Sequence, residues 1–312
     1  MEPGYIKLYK SGELRERIKK LYRILESCTL CPRECKKNRL KGEKGYCGMG
    51  KELVVSSIHP HFGEEPELVG NRMLGILGGR GGSGTIFLAG CNLLCVYCQN
   101  WEISHLRQGE KLTCDELARG MIYLQNRGCY NINLVTPTHF VPQIVESLML
   151  ATEKGLNLPV VYNCGGYEKV ETLKLLEGIV DIYMPDIKYS DPAVAEKYSN
   201  APDYFEQCKK AVKEMHRQVG DLKIDSKGIA YQGLLIRHLV LPNDLAGSEE
   251  ILKFIAEEIS RDTYVNIMAQ YRPEYRARDY EELNRQPSFL EYAKVINMAK
   301  KWGLYRGFNE TV

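Results

Sequence analysis

The stretch Gly90-Cys-Asn-Leu-Leu-Cys-Val-Tyr-Cys-Gln-Asn100 places three cysteines within eight residues, in a Cys-x3-Cys-x2-Cys spacing. Because iron–sulfur clusters are held by cysteine thiolates, three thiolates this close can bind three irons of a [4Fe–4S] cube. The fourth iron then has no protein ligand, and an open coordination position is where a metal site does chemistry. A zinc site and purely structural cysteines are the alternatives, and the spacing favours the cube.

The strands predicted around this stretch indicate the fold. From residue 85 onward, short and nearly continuous apolar runs alternate with helical patterns, as expected for parallel strands covered on both faces. Six such units in series predict an α/β fold, a partial (β/α)6 TIM-like barrel with fewer units than the eight of a closed barrel. The predicted strands span residues 85–90, 131–136, 158–163, 180–185, 233–241 and 264–269.

Helix-start signals lie between these strands. Thr113-x-x-Glu116 and Ser288-x-x-Glu291 are capping-box patterns, and Ser190-Asp-Pro192 fits a helix that begins with proline in its first turn. Active sites of such folds lie at the carboxyl ends of the strands. Since the cysteine loop follows the first predicted strand, we expect the cluster at that face.

Size and composition set the class of protein. The chain has 312 residues and a net charge of +2, which gives no electrostatic case for binding nucleic acid or an anionic membrane. The first residues lack the apolar core of a signal peptide, and no run is long and apolar enough to span a bilayer. Seven of the eleven cysteines fall into two clusters, which indicates metal binding in a reducing cytoplasm.

The second group of cysteines, near the N-terminus, consists of Cys28, Cys31, Cys35 and Cys47. Four thiols make a closed ligand set, which is usually structural, and either a zinc ion or a second [4Fe–4S] cluster fits them. Zinc would clamp a region too poor in apolar residues to fold alone, whereas a cluster would permit an electron relay. We therefore predict a small Cys-rich metal-binding region at residues 1–80, with a glycine-rich loop at 78–84 leading into a barrel at 81–312.

The three-cysteine motif resembles the signature of the radical S-adenosylmethionine (SAM) superfamily. The chain resembles homologues of pyruvate formate-lyase activating enzyme, in particular the PflX-like branch, and more weakly the AmmeMemoRadiSam enzymes, which share an N-terminal Cys-x-x-Cys-Pro cluster. The resemblance implies that SAM chelates the open iron and that an electron from the cluster cleaves it to methionine and a 5′-deoxyadenosyl radical. It also implies a six-unit open barrel and an electron donor of the flavodoxin or ferredoxin type.

The same resemblance assigns residues to SAM. Tyr97-Cys98-Gln99-Asn100 matches the family's Tyr-Cys-x-Asn, which implies Tyr97 near the adenine and Asn100 near polar groups of SAM. Met184-Pro-Asp-Ile-Lys188 is similar to the family's Met-x-Asp-Leu-Lys, whose Asp and Lys contact the methionyl amino and carboxylate groups. The remaining assignments are Asp186, Lys188, Arg237 in Arg237-His-Leu-Val-Leu-Pro242, and Asn163 in Asn163-Cys-Gly165.

Departures from the family lie at the predicted mouth of the barrel. Thr136-Pro-Thr-His-Phe140 replaces the family's Gly-Gly-Glu, so Thr138 or His139 is expected to supply the hydrogen bond to SAM. A further polar stretch, His59 to Pro66, is predicted to be a solvated loop, with a place in the pocket as the alternative.

Three functions follow from these patterns. The leading one is a radical SAM oxidoreductase that abstracts a hydrogen atom, with a glycine on a partner protein as substrate. A second keeps the radical chemistry on a small molecule or a peptide. A third is a non-catalytic iron–sulfur electron-transfer or metal-binding protein, which predicts no 5′-deoxyadenosine from reduced protein and SAM.

Overall fold

The computed structural model describes residues 2–71 and 80–308. Gly78 and Gly79 of the predicted glycine-rich loop lie outside these residues. The strands are β1 (Leu53–His61), β2 (Ser83–Leu88), β3 (Glu110–Leu112), β4 (Ile132–Val135), β5 (Val160–Cys164), β6 (Ile182–Pro185), β7 (Lys223–Ile224), β8 (Ala230–Leu239) and β9 (Tyr264–Met268).

The helices surround this sheet. They are α1 (Gly4–Lys10), α2 (Glu13–Ile24), α3 (Pro66–Val69), α4 (Trp101–Ser104), α5 (Cys114–Asn126), α6 (Val141–Glu153), α7 (Val170–Lys174), α8 (Pro192–Ser199), α9 (Tyr204–Val219), α10 (Ser248–Phe254) and α11 (Phe289–Lys301). Both predicted capping boxes are present, at Thr113 and Ser288, and the Asp191 side chain caps α8.

Six strands form the parallel part of the sheet, in the order β2, β4, β5, β6, β8 and β9. Each lies within three residues of a predicted strand. Every residue of β5 and β6 is buried, as expected for parallel strands covered on both faces. The prediction of an α/β fold is confirmed, and the arrangement is consistent with a partial barrel.

Antiparallel strands make the sheet mixed. β1 pairs antiparallel with both β2 and β3, and β7 pairs antiparallel with β8. The sequence pattern predicts no strand before residue 85, because Ser56, Ser57 and Pro60 interrupt the apolar residues of β1. The sheet therefore crosses the predicted boundary at residue 80.

One face of the sheet carries a separate cluster of buried apolar side chains, called the apolar floor below. Helices α1 and α2 pack against α6, which in turn packs against α5. Within the described ranges, no helix has the length and apolar character needed to cross a membrane. The floor is formed by Leu68, Val161, Ile182, Met184, Leu222, Ala230, Leu235 and Tyr264.

Asp181, just before β6, ties the N-terminal helices to the sheet. Its carboxylate accepts hydrogen bonds from the backbone N–H groups of Gly4 (3.3 Å) and Val160 (2.9 Å). Burial raises the pKa of Asp181 to about 6, although the two N–H donors oppose the shift. The folded protein therefore holds a proton here that the unfolded chain releases near pH 4.

This raised pKa predicts a pH-dependent stability. As the pH rises from about 4 to about 6, folding should lose about 3 kcal/mol through Asp181, and the contribution should stay constant above that. Asp181→Asn should remove this slope. Urea unfolding at several pH values measures it, with Asp262→Asn, an exposed carboxylate, as control. Equal slopes for wild type and Asp181→Asn would contradict the assignment.

Candidate active site

A cavity of about 260 Å³ lies at the carboxyl ends of the parallel strands. The loop that follows β2 brings Cys91, Cys95 and Cys98 to one wall of the cavity. The structure thus brings the three thiols of the motif together at the predicted face. Six other predicted site residues line the same cavity: Tyr97, Asn100, Asn163, Asp186, Lys188 and Arg237.

Hydroxyl and backbone groups donate hydrogen bonds to the three sulfurs. The hydroxyl of Ser199 lies 3.0 Å from Sγ of Cys95, and that of Ser104 lies 3.2 Å from Sγ of Cys98. The backbone N–H of Leu93 donates to Sγ of Cys91 at 3.4 Å. Donors around sulfur tune iron–sulfur sites, so this surrounding suits thiolate ligands.

Burial raises the pKa of thiols in the motif, as it also does for the isolated thiol of Cys129. Burial raises the pKa of Cys91 to about 12 and raises that of Cys98 as well, although the hydroxyl of Ser104 opposes the second shift. Buried thiolates need a compensating cation, which iron supplies. Across residues 2–71 and 80–308, no group of three or more His, Cys, Asp or Glu side chains is arranged to hold a single metal ion. The fit to a cluster therefore rests on the donor chemistry of this loop.

Opposite charges lie next to the thiols. Nζ of Lys188 is 2.6 Å from Oδ2 of Asp186, and Nε of Arg237 donates to Oδ1 of Asp186 at 2.8 Å. Another guanidinium nitrogen of Arg237 donates to Oδ1 of Asn163 at 2.7 Å. Burial alone would raise the pKa of Asp186, but Arg237 and Lys188 outweigh it and hold that pKa below its ordinary value. The wall thus carries a carboxylate with one cation on each side.

Tyr97 adds an aromatic ring beside the thiols. It is buried and meets Tyr189 and Tyr271 edge to face, with ring centroids 6.1 Å and 5.8 Å away. Asn100 precedes α4 and lines the cavity. The predicted adenine neighbour and its polar companion therefore share one wall with the cysteine motif.

Thr138 and His139 lie elsewhere. Both are buried, and neither lines the cavity. The Thr138 hydroxyl donates to Oε1 of Glu168 at 2.5 Å, and Nε2 of His139 is 2.7 Å from the carbonyl oxygen of Ala89. Thr136, which has a positive φ of 58°, lines the cavity in their place.

Glu168 is a buried carboxylate that the sequence analysis missed. It follows β5 in the stretch Gly165-Gly-Tyr-Glu168, and the Tyr162 hydroxyl donates to it at 3.0 Å. Burial raises its pKa to about 7, although the hydroxyls of Thr138 and Tyr162 oppose this. The sequence signal for it was the glycine pair Gly165-Gly166, two residues before Glu168 at the end of β5. This pair lies one parallel strand later than the Gly-Gly-Glu of the family.

The stretch from His59 to Pro66 was predicted to be a solvated loop, and this is wrong for two of its residues. Glu64 and Glu65 are 9% and 5% exposed, so these two are not part of a solvated loop. Glu64 lies 3.5 Å from the guanidinium of Arg237, and the amide of Asn266 donates to Glu65 at 2.7 Å. These two carboxylates can be buried because Arg237 on β8 and Asn266 on β9 interact with them.

The N-terminal cysteines lie close to one another. A side-chain carbon added to Gly45 would lie 3.1 Å from Sγ of Cys35 and 3.5 Å from Sγ of Cys47. The buried guanidinium of Arg39 is 3.9 Å from Sγ of Cys28. Two of the four sulfurs thus lie beside Gly45, and a third lies beside Arg39.

This N-terminal segment contacts the cysteine loop after β2 directly. Nε of Arg33 donates to the carbonyl oxygen of Asn92 at 2.8 Å, and a second nitrogen donates to that of Ser199 at 2.8 Å. The same guanidinium lies 4.0 Å above the ring of Tyr46. Asn92 follows Cys91, and Ser199 contacts Cys95. The side chain of Arg33, which lies among the N-terminal cysteines, therefore fixes backbone beside the cysteines of the loop after β2.

Gly90 lies at the closest approach of the two groups. Its φ is +84°, and a side-chain carbon there would lie 2.8 Å from the carbonyl oxygen of Cys47 and 2.8 Å from Cγ of Met49. Gly155 has a similar φ of +91° but no atom within 4 Å of such a carbon. Both positions favour glycine for backbone reasons, and only Gly90 is also sterically closed.

This difference predicts unequal effects of two matched variants. Gly90→Ala should displace the cysteine loop and lower both the iron bound per chain and the cluster absorbance after anaerobic reconstitution. Gly155→Ala should cost about 1 kcal/mol of stability and keep its iron, because only the backbone strain applies. Full iron binding by Gly90→Ala would contradict the steric argument.

Two curated proteins are similar to this chain over most of its length. The chain is 33% identical over 291 residues to the uncharacterized protein MJ0674 of Methanocaldococcus jannaschii, covering 90% of this chain and 76% of that protein. It is 25% identical over 279 residues to the uncharacterized protein MJ0808 of the same organism, covering 81% and 72%.

Two solved structures are also similar. Native anSMEcpe with bound AdoMet has a TM-score of 0.47 and 13% identity, and the match covers 69% of this chain. It spans 58% of the anSMEcpe chain, which is less than two thirds of its length. A histidine-tagged form of anSMEcpe with bound AdoMet has a TM-score of 0.45 at the same identity, with 69% and 55% covered.

The sequence profile of the radical SAM superfamily matches residues 85–225. This range begins in β2, contains the cysteine loop and reaches Asp186 and Lys188. The chain belongs to the radical SAM superfamily.

Proposed function

We propose that the chain is a radical SAM enzyme in which Cys91, Cys95 and Cys98 hold a [4Fe–4S] cluster and SAM binds in the adjoining cavity. When bound, the cluster supplies the electron that cleaves SAM to methionine and a 5′-deoxyadenosyl radical, which takes a hydrogen atom from the substrate. The observation that carries the proposal is the convergence of three thiols, a paired carboxylate and ammonium, and an aromatic ring on one cavity.

The charged residues suit the amino-acid end of SAM. Asp186 and Lys188 now satisfy each other, and they can exchange this contact for an ammonium and a carboxylate. Arg237 holds Asp186 and Asn163, so it acts as a positioning residue for both. Tyr97 offers an apolar edge to the adenine, and its burial keeps water from that wall.

The finer proposal concerns the hydrogen donor. By resemblance to the activating enzymes, it is a glycine on a partner protein, and a donor of the flavodoxin or ferredoxin type supplies the electron. The competing proposal is a small molecule or a peptide. A persistent radical on a second protein supports the first, whereas a modified low-molecular-weight product supports the second.

The proposal is tested by SAM cleavage. The protein is reconstituted anaerobically, reduced and assayed for 5′-deoxyadenosine. Cys95→Ala should reduce the product to the level found without protein, because one cluster ligand is lost. Cys129→Ala, which removes a buried thiol outside both groups, should retain cleavage. Wild-type protein that holds iron but yields no 5′-deoxyadenosine would favour the non-catalytic alternative and overturn the proposal.

The N-terminal cysteines carry a second proposal, a separate metal site formed by Cys28, Cys31, Cys35 and Cys47. Its support is the proximity of the Cys35 and Cys47 thiols at Gly45 and the position of the Cys28 thiol beside the buried guanidinium of Arg39. A four-thiolate zinc ion and a [4Fe–4S] cluster both suit this donor set.

Metal counting distinguishes these two occupants. Cys31→Ala should lose either zinc or about four irons per chain relative to wild type, and the metal that is lost identifies the site. SAM cleavage driven by a chemical reductant should fall less than in Cys95→Ala, because Cys31 is not among the three proposed ligands and acts on the cysteine loop only through the contacts of Arg33. Metal content equal to wild type in Cys31→Ala would contradict a second site.

A further inference from the structure

A second cavity, of about 270 Å³, lies beside the thiol-lined one. The two cavities share Arg237, Met268 and Gln270 in their walls. One side of the second cavity is the face of β9 that carries Tyr264 and Asn266. The other side is the segment that follows β1, including Glu64 and Glu65. The cavity therefore adjoins the proposed SAM site but has an acidic wall of its own.

Contacts to β8 and β9 hold this acidic segment in place. The amide of Asn266 donates to Oε1 of Glu65 at 2.7 Å, and the hydroxyl of Tyr264 donates to Oε2 of Glu67 at 2.7 Å. Glu64 lies 3.5 Å from the guanidinium of Arg237. Glu65 thus has a fixed position in the wall of the cavity.

One oxygen of Glu65 has no donor. Oε2 is buried, and within the described part of the chain no group donates a hydrogen bond to it. The residue is only 5% exposed, so bulk water does not solvate this oxygen freely. A buried carboxylate oxygen without a donor is energetically unfavourable, and a bound ion or ligand is one of the explanations for such a group in a native protein.

The charges around the shared wall do not balance. Arg237 and Lys188 are the two cations, and Lys188 and one edge of Arg237 already serve Asp186. Asp186, Glu64 and Glu65 are the three carboxylates near these two cations, and all three attract Arg237. A wall with more carboxylates than cations favours an occupant that brings a positive charge and N–H donors.

We propose that the second cavity is a substrate subsite that takes a cationic nitrogen, an ammonium or a guanidinium, with the carboxylate of Glu65 as its counter-charge. The inference rests on the proposed function, because it places the substrate beside the cavity assigned to SAM. Met268, on the shared wall, and Tyr264 supply apolar surface for a short carbon chain next to the cation. The substrate class is thus an amine or a guanidino compound, free or as a side chain.

Small probes test the subsite without knowledge of the substrate. Propylammonium and propylguanidinium chloride are titrated into the reconstituted protein with SAM present, and heat or the shift in thermal unfolding reports binding. The cations should bind, whereas 1-propanol, of similar size and no charge, should bind at least about tenfold more weakly. Equal binding of propanol and of the cations would overturn the proposal.

Two matched variants locate the acceptor. Glu65→Gln should weaken binding of both cations at least about tenfold, because the charge is removed while Asn266 keeps an acceptor. Glu65→Asp should recover part of the affinity. Glu153→Gln, at an exposed carboxylate on α6 that lines neither cavity, should bind as wild type does. Unchanged affinity in Glu65→Gln, with thermal unfolding equal to wild type, would overturn the proposal.

The outcome separates this inference from the proposed function. Cation binding is measured without turnover, and SAM cleavage by the wild type is measured without added cation. Cleavage without cation binding overturns the subsite alone. Cation binding without cleavage supports an acidic binding site and overturns the radical chemistry.

Discussion

The guanidinium of Arg237 joins the ends of three neighbouring strands. It donates to Asp186 after β6 and to Asn163 on β5, and it lies close to Glu64 from the segment after β1. A buried arginine is stable only when its donors are paired, so these elements must hold their relative positions for the charge to be tolerated. The same side chain forms part of the wall between the two cavities. The positioning of SAM and the recognition of substrate would therefore both depend on the side chain of Arg237.

The cysteine loop depends on the N-terminal segment in a comparable way. β2 delivers the loop, but Arg33 fixes its backbone at Asn92, and Gly90 permits the close approach of Cys47. A metal bound by the N-terminal thiols would stiffen the segment that carries Arg33, whichever metal it is. The two cysteine groups, far apart along the chain, thus form one continuous structure around the end of β2.

The sequence predicts those parts of the molecule that depend on local pattern. The six parallel strands are continuous apolar runs, and the capping boxes at Thr113 and Ser288 need only side chains three residues apart. β1 was missed because it pairs antiparallel and is interrupted by polar residues. The burial of Glu64 and Glu65 was missed because their partners, Arg237 and Asn266, lie far along the chain. Long-range pairing of charges leaves no periodic signal in a single sequence.

The surroundings of the thiol-lined cavity indicate why a substrate would lie in the second cavity. The apolar floor, which includes Val161 and Leu235, consists of buried apolar side chains, so it is unfavourable for a polar substrate. The carboxyl ends of the central strands are occupied by the thiols and the charges assigned to SAM. What remains is the side between β9 and the segment after β1, where the parallel sheet ends and the walls are polar. A radical formed at the thiol-lined cavity would meet its hydrogen donor there, across the side chains of Arg237 and Met268.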